Sequence, residues 1–181
     1  MMKNLLWLFV CIALVVNSCG RRDSKTSSAE FSLDSLSRHT FNWFWDLAGP
    51  ENGQIPDRWP TENFSSIAAT GFGLTTYLVG VERGYVTRQQ AAERVLKTLK
   101  FLDNLPKGDS IAGVAGYKGF FYHFLDQQSG LRFQQVELST IDTSLLMAGI
   151  LSCQSYFDQT NETENQIRAL ADSLYRAVEW D

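Results

Sequence analysis

From Ile67 to Val81 the chain is apolar at almost every position. The segments on either side alternate apolar and polar residues at helical spacing. An apolar run of helical length has no solvent side, so "IAATGFGLTTYLVGVERG" predicts a helix buried all round. It opens near Ser65 or Ser66 and stops at Gly84. Gly71 and Gly73 each weaken such a helix by about 1 kcal/mol relative to Ala, which predicts that another backbone or a ligand comes close there. The helix before it is amphipathic, with Leu36, Phe41, Phe44, Trp45 and Ala48 on one face and Ser32 or Asp34 as its cap. The loop "AGPENGQIPDRWP" ends it. Thr87 and Gln90 form a capping box that opens a third helix, lined by Ala92, Val95, Leu99 and Leu102. A fourth is predicted from about Thr140 to Phe157. A fifth follows a second capping box, Thr163 with Gln166, and repeats Ile167, Leu170, Ala171, Leu174 and Val178 at 3.6-residue spacing.

One stretch breaks the helical pattern. "GYKGFFYHFLDQQSGLRF", Gly116 to Phe133, gathers six aromatic residues and a histidine around turn residues. Its "FFYHFLD" and "LRF" flank Gln-Gln-Ser-Gly, which predicts a short β-hairpin. The fold class expected is therefore all-α with a small hairpin. Alternating amphipathic and all-apolar helices suggest the outer and inner rings of a toroid of helical hairpins; a plain helical bundle is the alternative. Five helices do not close a twelve-helix toroid, and the chain stops at "YRAVEWD". An incomplete N-terminal half, from a fragment or a truncated reading frame, is the expectation.

The 181 residues, 44% apolar and 20% charged, suit one domain with a real core. A net charge of −4 with no long basic run argues against nucleic acid as a partner. The N-terminus changes the picture more. "MMKNLLWLFVCIALVVNSCG" has Lys3, an apolar run from Leu5 to Val16 and then small residues, the layout of a secretory signal rather than a membrane span. "VNSC" resembles a bacterial lipobox, although Asn17 is a less usual residue there. Residues 1–18 are then a lipoprotein signal peptide, and Cys19 is lipidated and anchored to a membrane surface. A plain signal peptide is the alternative. The Ser-rich segment over residues 19–31 reads as a flexible tether, and the domain proper spans residues 32–181. This places the protein in the bacterial cell envelope, facing the periplasm or the cell surface. Of the remaining residues Cys153 alone is a cysteine, and its apolar helical setting predicts a buried structural thiol. No disulfide framework, metal motif or cofactor signature is present.

Three acidic residues stand out. Asp57 lies in "GQIPDRWP", Glu137 in "VELSTID" and Asp142 five residues further on. Each has a structural explanation. Asp142 with Ser139 fits Ser-x-x-acid, a capping-box variant near the positive end of a helix. Asp57 can pair with Arg58. Glu137 precedes the cap, and Arg132 or Lys118 would neutralise it. The chemical explanation is glycoside hydrolysis, which uses two carboxyl groups across the scissile bond. Aromatic rings stack on the apolar faces of sugars while charged side chains bind the hydroxyls. That makes Tyr117, Lys118, Phe120, Tyr122 and His123 a candidate rim of a glycan cleft, with packing as the other reading of Phe120, Phe121, Phe124 and Phe133.

Several ordered stretches, "TFNWFWD", "GQIPDRWP", "IAATGFGLTTYLVGVERGYVTR", "GVAGYKGFFYHFLD", "GLRF" and "VELSTIDTSLLMAGIL", together resemble the bacterial glucoamylase-like family, which includes endo-β-1,2-glucanases. The resemblance runs from about Leu33 to Asp181 and corresponds to the N-terminal part of the family domain. It implies an (α/α)6 toroid whose central cavity binds glucan oligosaccharide or polysaccharide. It implies that Glu137 is at the catalytic cavity and that Asp57, Arg58, Tyr117, Lys118, His123 and Asp142 contact substrate. A carboxylate from the C-terminal half of that domain would be absent. The activity expected is hydrolysis of β-linked glucan. A non-catalytic glycan-binding surface lipoprotein and a plain helical interaction module are the competing readings.

Overall fold

The computed structural model describes residues 26–61 and 63–181, with side chains from residue 33 onward. The predicted signal peptide, Cys19 and the predicted tether as far as Lys25 lie outside the described residues. Helix α1, Thr26–Leu47, begins ahead of Ser32 and Asp34, so both sit inside the helix and neither caps it. Contacts divide the chain into two units after His39. In the first unit His39 Nδ1 donates to the Ser35 carbonyl at 2.7 Å. Everything that follows belongs to the second unit, residues 40–181.

The elements after α1 are β1 (Phe64–Ser66), α2 (Ile67–Glu82), α3 (Arg88–Asn104), β2 (Gly116–Tyr117), β3 (Phe120–Phe121), β4 (Phe124–Asp126), α4 (Thr140–Tyr156) and α5 (Glu162–Arg176). The core is built where their apolar faces meet, around Leu74, Val95, Leu99, Phe121, Leu146, Ile150 and Ile167, all essentially without solvent contact. Cys153 lies in it, and burial pushes its thiol well above the ordinary range.

Ser66 caps α2 by accepting from the Ala69 amide. Gly84, at φ +67°, lies just past its end. The close approach predicted at Gly71 is against α4. A Cβ on Gly71 would sit 2.5 Å from the Leu145 carbonyl oxygen, and one on Gly149 would sit 2.2 Å from that of Gly71. At Gly73 the neighbour is the Ile55 side chain. The expectation of burial all round is corrected. Phe72 and Val79 on α2 are 54% and 45% exposed, and Ile141 and Leu145 on α4 are 74% and 39% exposed. No described element covers that stripe.

The capping box of α3 is formed, with the Gln90 side chain accepting from the Thr87 amide at 2.9 Å. That of α5 is not. Asn161 is the cap, and its side chain accepts from the Glu164 amide. Thr163 is already inside the helix, because an Asn two positions earlier supplies the same acceptor. The aromatic stretch also pairs differently from expectation. β2 and β3 form a hairpin around Lys118 and Gly119, both at positive φ. β4 pairs with the distant β1, with Phe64 opposite Asp126 and Ser66 opposite Phe124. The predicted hairpin survives as a single bridge between Leu125 and Arg132 and two backbone bonds, from the Asp126 amide to the Leu131 carbonyl at 2.8 Å and from the Phe133 amide to the Phe124 carbonyl at 3.1 Å.

Candidate active site

Three segments converge on His123. Its amide donates to the Glu137 carbonyl at 3.0 Å, and its own carbonyl accepts from the Ile67 amide at 3.3 Å. Tyr122 beside it bridges to Leu138. The residue is therefore held by its backbone between the segment leading into α4 and the first turn of α2. Its ring stacks on Phe124, centroids 3.9 Å apart. One ring nitrogen, Nδ1, is 2.7 Å from Glu137 Oε1; the other, Nε2, is 3.9 Å from Asp142 Oδ1.

Glu137 thus pairs with neither of the cations the sequence offered. Arg132 Nε donates to the Val136 carbonyl at 2.8 Å, and its guanidinium lies 4.2 Å over the Tyr122 ring. Lys118 reaches Glu179 at 2.7 Å. The Glu137 side chain is 66% exposed. A hydrogen bond from its own backbone amide, then the one from His123, holds its carboxyl below the ordinary carboxylate range. It is ionised at neutral pH.

Asp142 satisfies its structural explanation and faces His123 as well. Its amide donates to Ser139 Oγ at 3.1 Å, and the Ser139 hydroxyl donates back to Asp142 Oδ2. The other oxygen, Oδ1, is the one turned to the imidazole.

Asp57 and Arg58 form a 3.0 Å ion pair, and the Arg58 guanidinium lies 5.1 Å over the Phe64 ring. Phe64 in turn meets Phe124 at 4.9 Å and stacks on Phe133 at 4.7 Å. Because Phe124 carries His123, a ladder of rings leads from the Asp57–Arg58 pair to Glu137. The β1–β4 pairing makes it, by setting Phe64 and Phe124 on neighbouring strands.

Five of the seven predicted site residues, Asp57, Arg58, His123, Glu137 and Asp142, therefore meet on one ladder. Tyr117 and Lys118 do not join it. Their hairpin docks on the residues after α5: the Glu179 amide donates to the Lys118 carbonyl, and a Cβ on Gly119 would sit 2.1 Å from the Ala177 carbonyl oxygen. The hydrogen bond and charge of Glu179 raise the Lys118 ammonium above its ordinary value. The sequence reading passed over Trp59. Its ring is 58% exposed and lines a cleft of about 640 Å³ with Asp46, Glu51, Asn52, Gln127 and Gln128. The available signal was a large aromatic next to Asp57 and Arg58 in a loop fixed by prolines. Among the described residues no group of three His, Cys, Asp or Glu could hold a metal ion.

An ionised carboxylate open to solvent, oriented by an imidazole and bordered by aromatic faces, can activate water beside a sugar. Comparison with known proteins bears on that chemistry. No family model matches the chain. It is 32% identical over 171 residues to an exo β-1,2-glucooligosaccharide sophorohydrolase (non-reducing end) of Parabacteroides distasonis, a match that takes in 87% of this chain and 22% of that protein. Its homologues and structural neighbours are glucoamylase-like proteins, β-1,2-glucanases among them. A candidate glucoamylase of Bacteroides uniformis superposes with a TM-score of 0.72 at 34% identity, over 81% of this chain and 35% of that one. The endo-β-1,2-glucanase of Chitinophaga pinensis, solved with sophorotriose and glucose, gives 0.71 at 28% identity over 87% and 38%. The chain spans about a fifth of the curated relative and just over a third of these two structures. Over that span the mostly helical fold implied by the resemblance to glucoamylase-like toroid proteins is the fold of these neighbours.

Proposed function

We propose that the chain supplies part of the catalytic wall of a glycoside hydrolase acting on β-linked glucan, with β-1,2-glucan as its substrate. The observation that carries this is Glu137: ionised, open to solvent, and tied to His123 at the end of an aromatic ladder. The names of its relatives favour the same substrate. In such a hydrolysis a water oxygen bonds the anomeric carbon while a carboxylate takes its proton. The glycosidic C–O bond breaks as a second carboxylic acid protonates the leaving oxygen. Glu137 is one of that pair in this reading. Asp57, Arg58 and the Trp59 cleft bind sugar, the ring by stacking and the ions by hydrogen bonds to hydroxyls.

The test is Glu137→Gln in the full-length gene product, assayed on β-1,2-, β-1,3- and β-1,4-linked glucose oligomers. General acid or base catalysis contributes about 10²–10⁴-fold, so kcat should drop by about that factor while oligosaccharide binding persists. The side chain is mostly exposed, so the melting temperature should hardly move. Cleavage by the variant at the unaltered rate would remove Glu137 from the chemistry. Binding without cleavage by the unsubstituted protein would make it a glycan-binding protein instead.

A further inference from the structure

An exposed glutamate turns among several rotamers, yet a catalytic base has to stay within hydrogen-bond reach of the proton it takes. Besides the bond from its own backbone amide, the Glu137 carboxylate is restrained by the 2.7 Å hydrogen bond from His123 Nδ1. The imidazole is itself well fixed. Backbone bonds hold its residue on both sides, and Phe124 covers one ring face. Behind the ring, Nε2 faces Asp142 Oδ1, and Asp142 is locked by its cap to Ser139. Carboxylate, imidazole and carboxylate thus stand in series, the imidazole from the junction of β3 and β4 and both carboxylates from the stretch that leads into α4 and its first turn. The charged groups that face the ring are Glu137, from the segment ahead of α4, and Asp142, from the first turn of α4. From β4 it meets the Phe124 ring, while the α2 amide of Ile67 bonds the His123 backbone carbonyl and not the ring.

We propose that His123 is a positioning residue that presents Glu137 as the base of the hydrolysis. This rests on the hydrolase reading and deepens it. A carboxylate that accepts a hydrogen bond from imidazole takes a proton from water and does not give one to the leaving oxygen. The proton donor is then a different carboxyl group. His123 acts through Glu137, not through the sugar.

The experiment compares His123→Phe and His123→Asn with the unsubstituted full-length protein on a β-1,2-linked glucose oligomer. His123→Phe should lower kcat about 10-fold or more, a share of what a positioned base supplies, with KM nearly unchanged. It should also move the acid limb of the kcat/KM profile to higher pH, because Glu137 loses a hydrogen bond that favours its charged form. His123→Asn places an amide N–H near the site of Nδ1 and should restore part of both. A raised KM with unchanged kcat and limb would make His123 a substrate contact and overturn the proposal. So would an Asn variant no better than Phe, which marks packing alone. The Glu137 carboxyl carbon, titrated by NMR in the unsubstituted protein and the Asn and Phe variants, needs no turnover. A titration unmoved by the Phe variant overturns the proposal. If Phe does not fold, His123→Gln replaces it as the variant lacking a donor at Nδ1. A moved titration in a protein that cleaves nothing supports the coupling and defeats the hydrolase reading.

Discussion

At the residue scale the most strongly shifted carboxylate is structural. Glu164 is 3% exposed. Arg88 grips both its oxygens, Nε to Oε1 at 2.9 Å and a terminal nitrogen to Oε2 at 2.8 Å, and the Gln159 amide adds a third bond. The hydrogen bond from Arg88 is the main cause that brings its pKa from 4.5 down to about 2, against the opposing effect of burial. A depressed carboxyl pKa contributes stability that is complete above the unfolded value and disappears as pH falls through the folded one. The shift corresponds to about 3 kcal/mol. It should therefore be present at pH 5 and largely lost at pH 2. Glu164→Gln should lower the melting temperature at neutral pH, and the gap to the unsubstituted protein should close over that window in thermal melts. A gap that stays constant down to pH 2 would show that the pair contributes nothing. The sequence did not mark this pair, because Arg88 and Glu164 are 76 positions apart and each sits among ordinary polar neighbours. His123, Glu137 and Asp142 were legible for the opposite reason: they lie within 20 residues, His123 in the aromatic stretch that breaks the helical pattern and the two acids where the next helix begins.

At the element scale the helices could be read because their signals are local. Thr87 with Gln90 and Ser139 with Asp142 cap the helices they were expected to cap. The misreading at Thr163 came from two acceptors close together, of which Asn161 wins. Strand pairing was the part that could not be read. β1 and β4 are three residues each and 60 positions apart. Nothing in either announces the other, whereas a Gly-containing turn beside β4 advertises a hairpin. The glycines of α2 gave a true warning, since Gly71 and Gly149 let two helix backbones touch. Gly149→Ala would put a methyl carbon 2.2 Å from the Gly71 carbonyl oxygen, where backbone has to shift. Overpacking of this kind costs about 1–3 kcal/mol, or a fall of about 2–4 °C per kcal/mol in a chain of this size. Gly108→Ala is the control: its nearest neighbour is Val114 Cγ1 at 4.0 Å, and its melt should be unchanged. Equal melts for the two variants would mean that the α2–α4 contact yields without cost.

At the scale of the whole molecule two features carry predictions outside the site. One is the N-terminal sequence. The lipobox-like "VNSC" predicts that Cys19→Ala moves the protein from the membrane fraction to the soluble one; retention on membranes with an unchanged N-terminal peptide mass would refute lipidation. The other is the stripe on α2 and α4. Phe72 and Val79 recur at i, i+7 and Ile141 and Leu145 at i, i+4, so each pair lies on one side of its helix. The two helices are the ones that Gly71 and Gly149 bring into backbone contact. Contiguous exposed apolar patches of more than a few hundred Å² promote association. The 181-residue chain produced alone should accordingly self-associate at micromolar concentration in sedimentation or light scattering. Phe72→Lys with Ile141→Lys should return it toward the monomer. Both side chains are more than half exposed, so the substitutions should leave the melting temperature within the small range usual for surface changes, about 0.5 kcal/mol. Association that persists in the double variant would place the sticky surface elsewhere, and a monodisperse, cooperatively melting monomer of the unsubstituted chain would show that this stripe tolerates water.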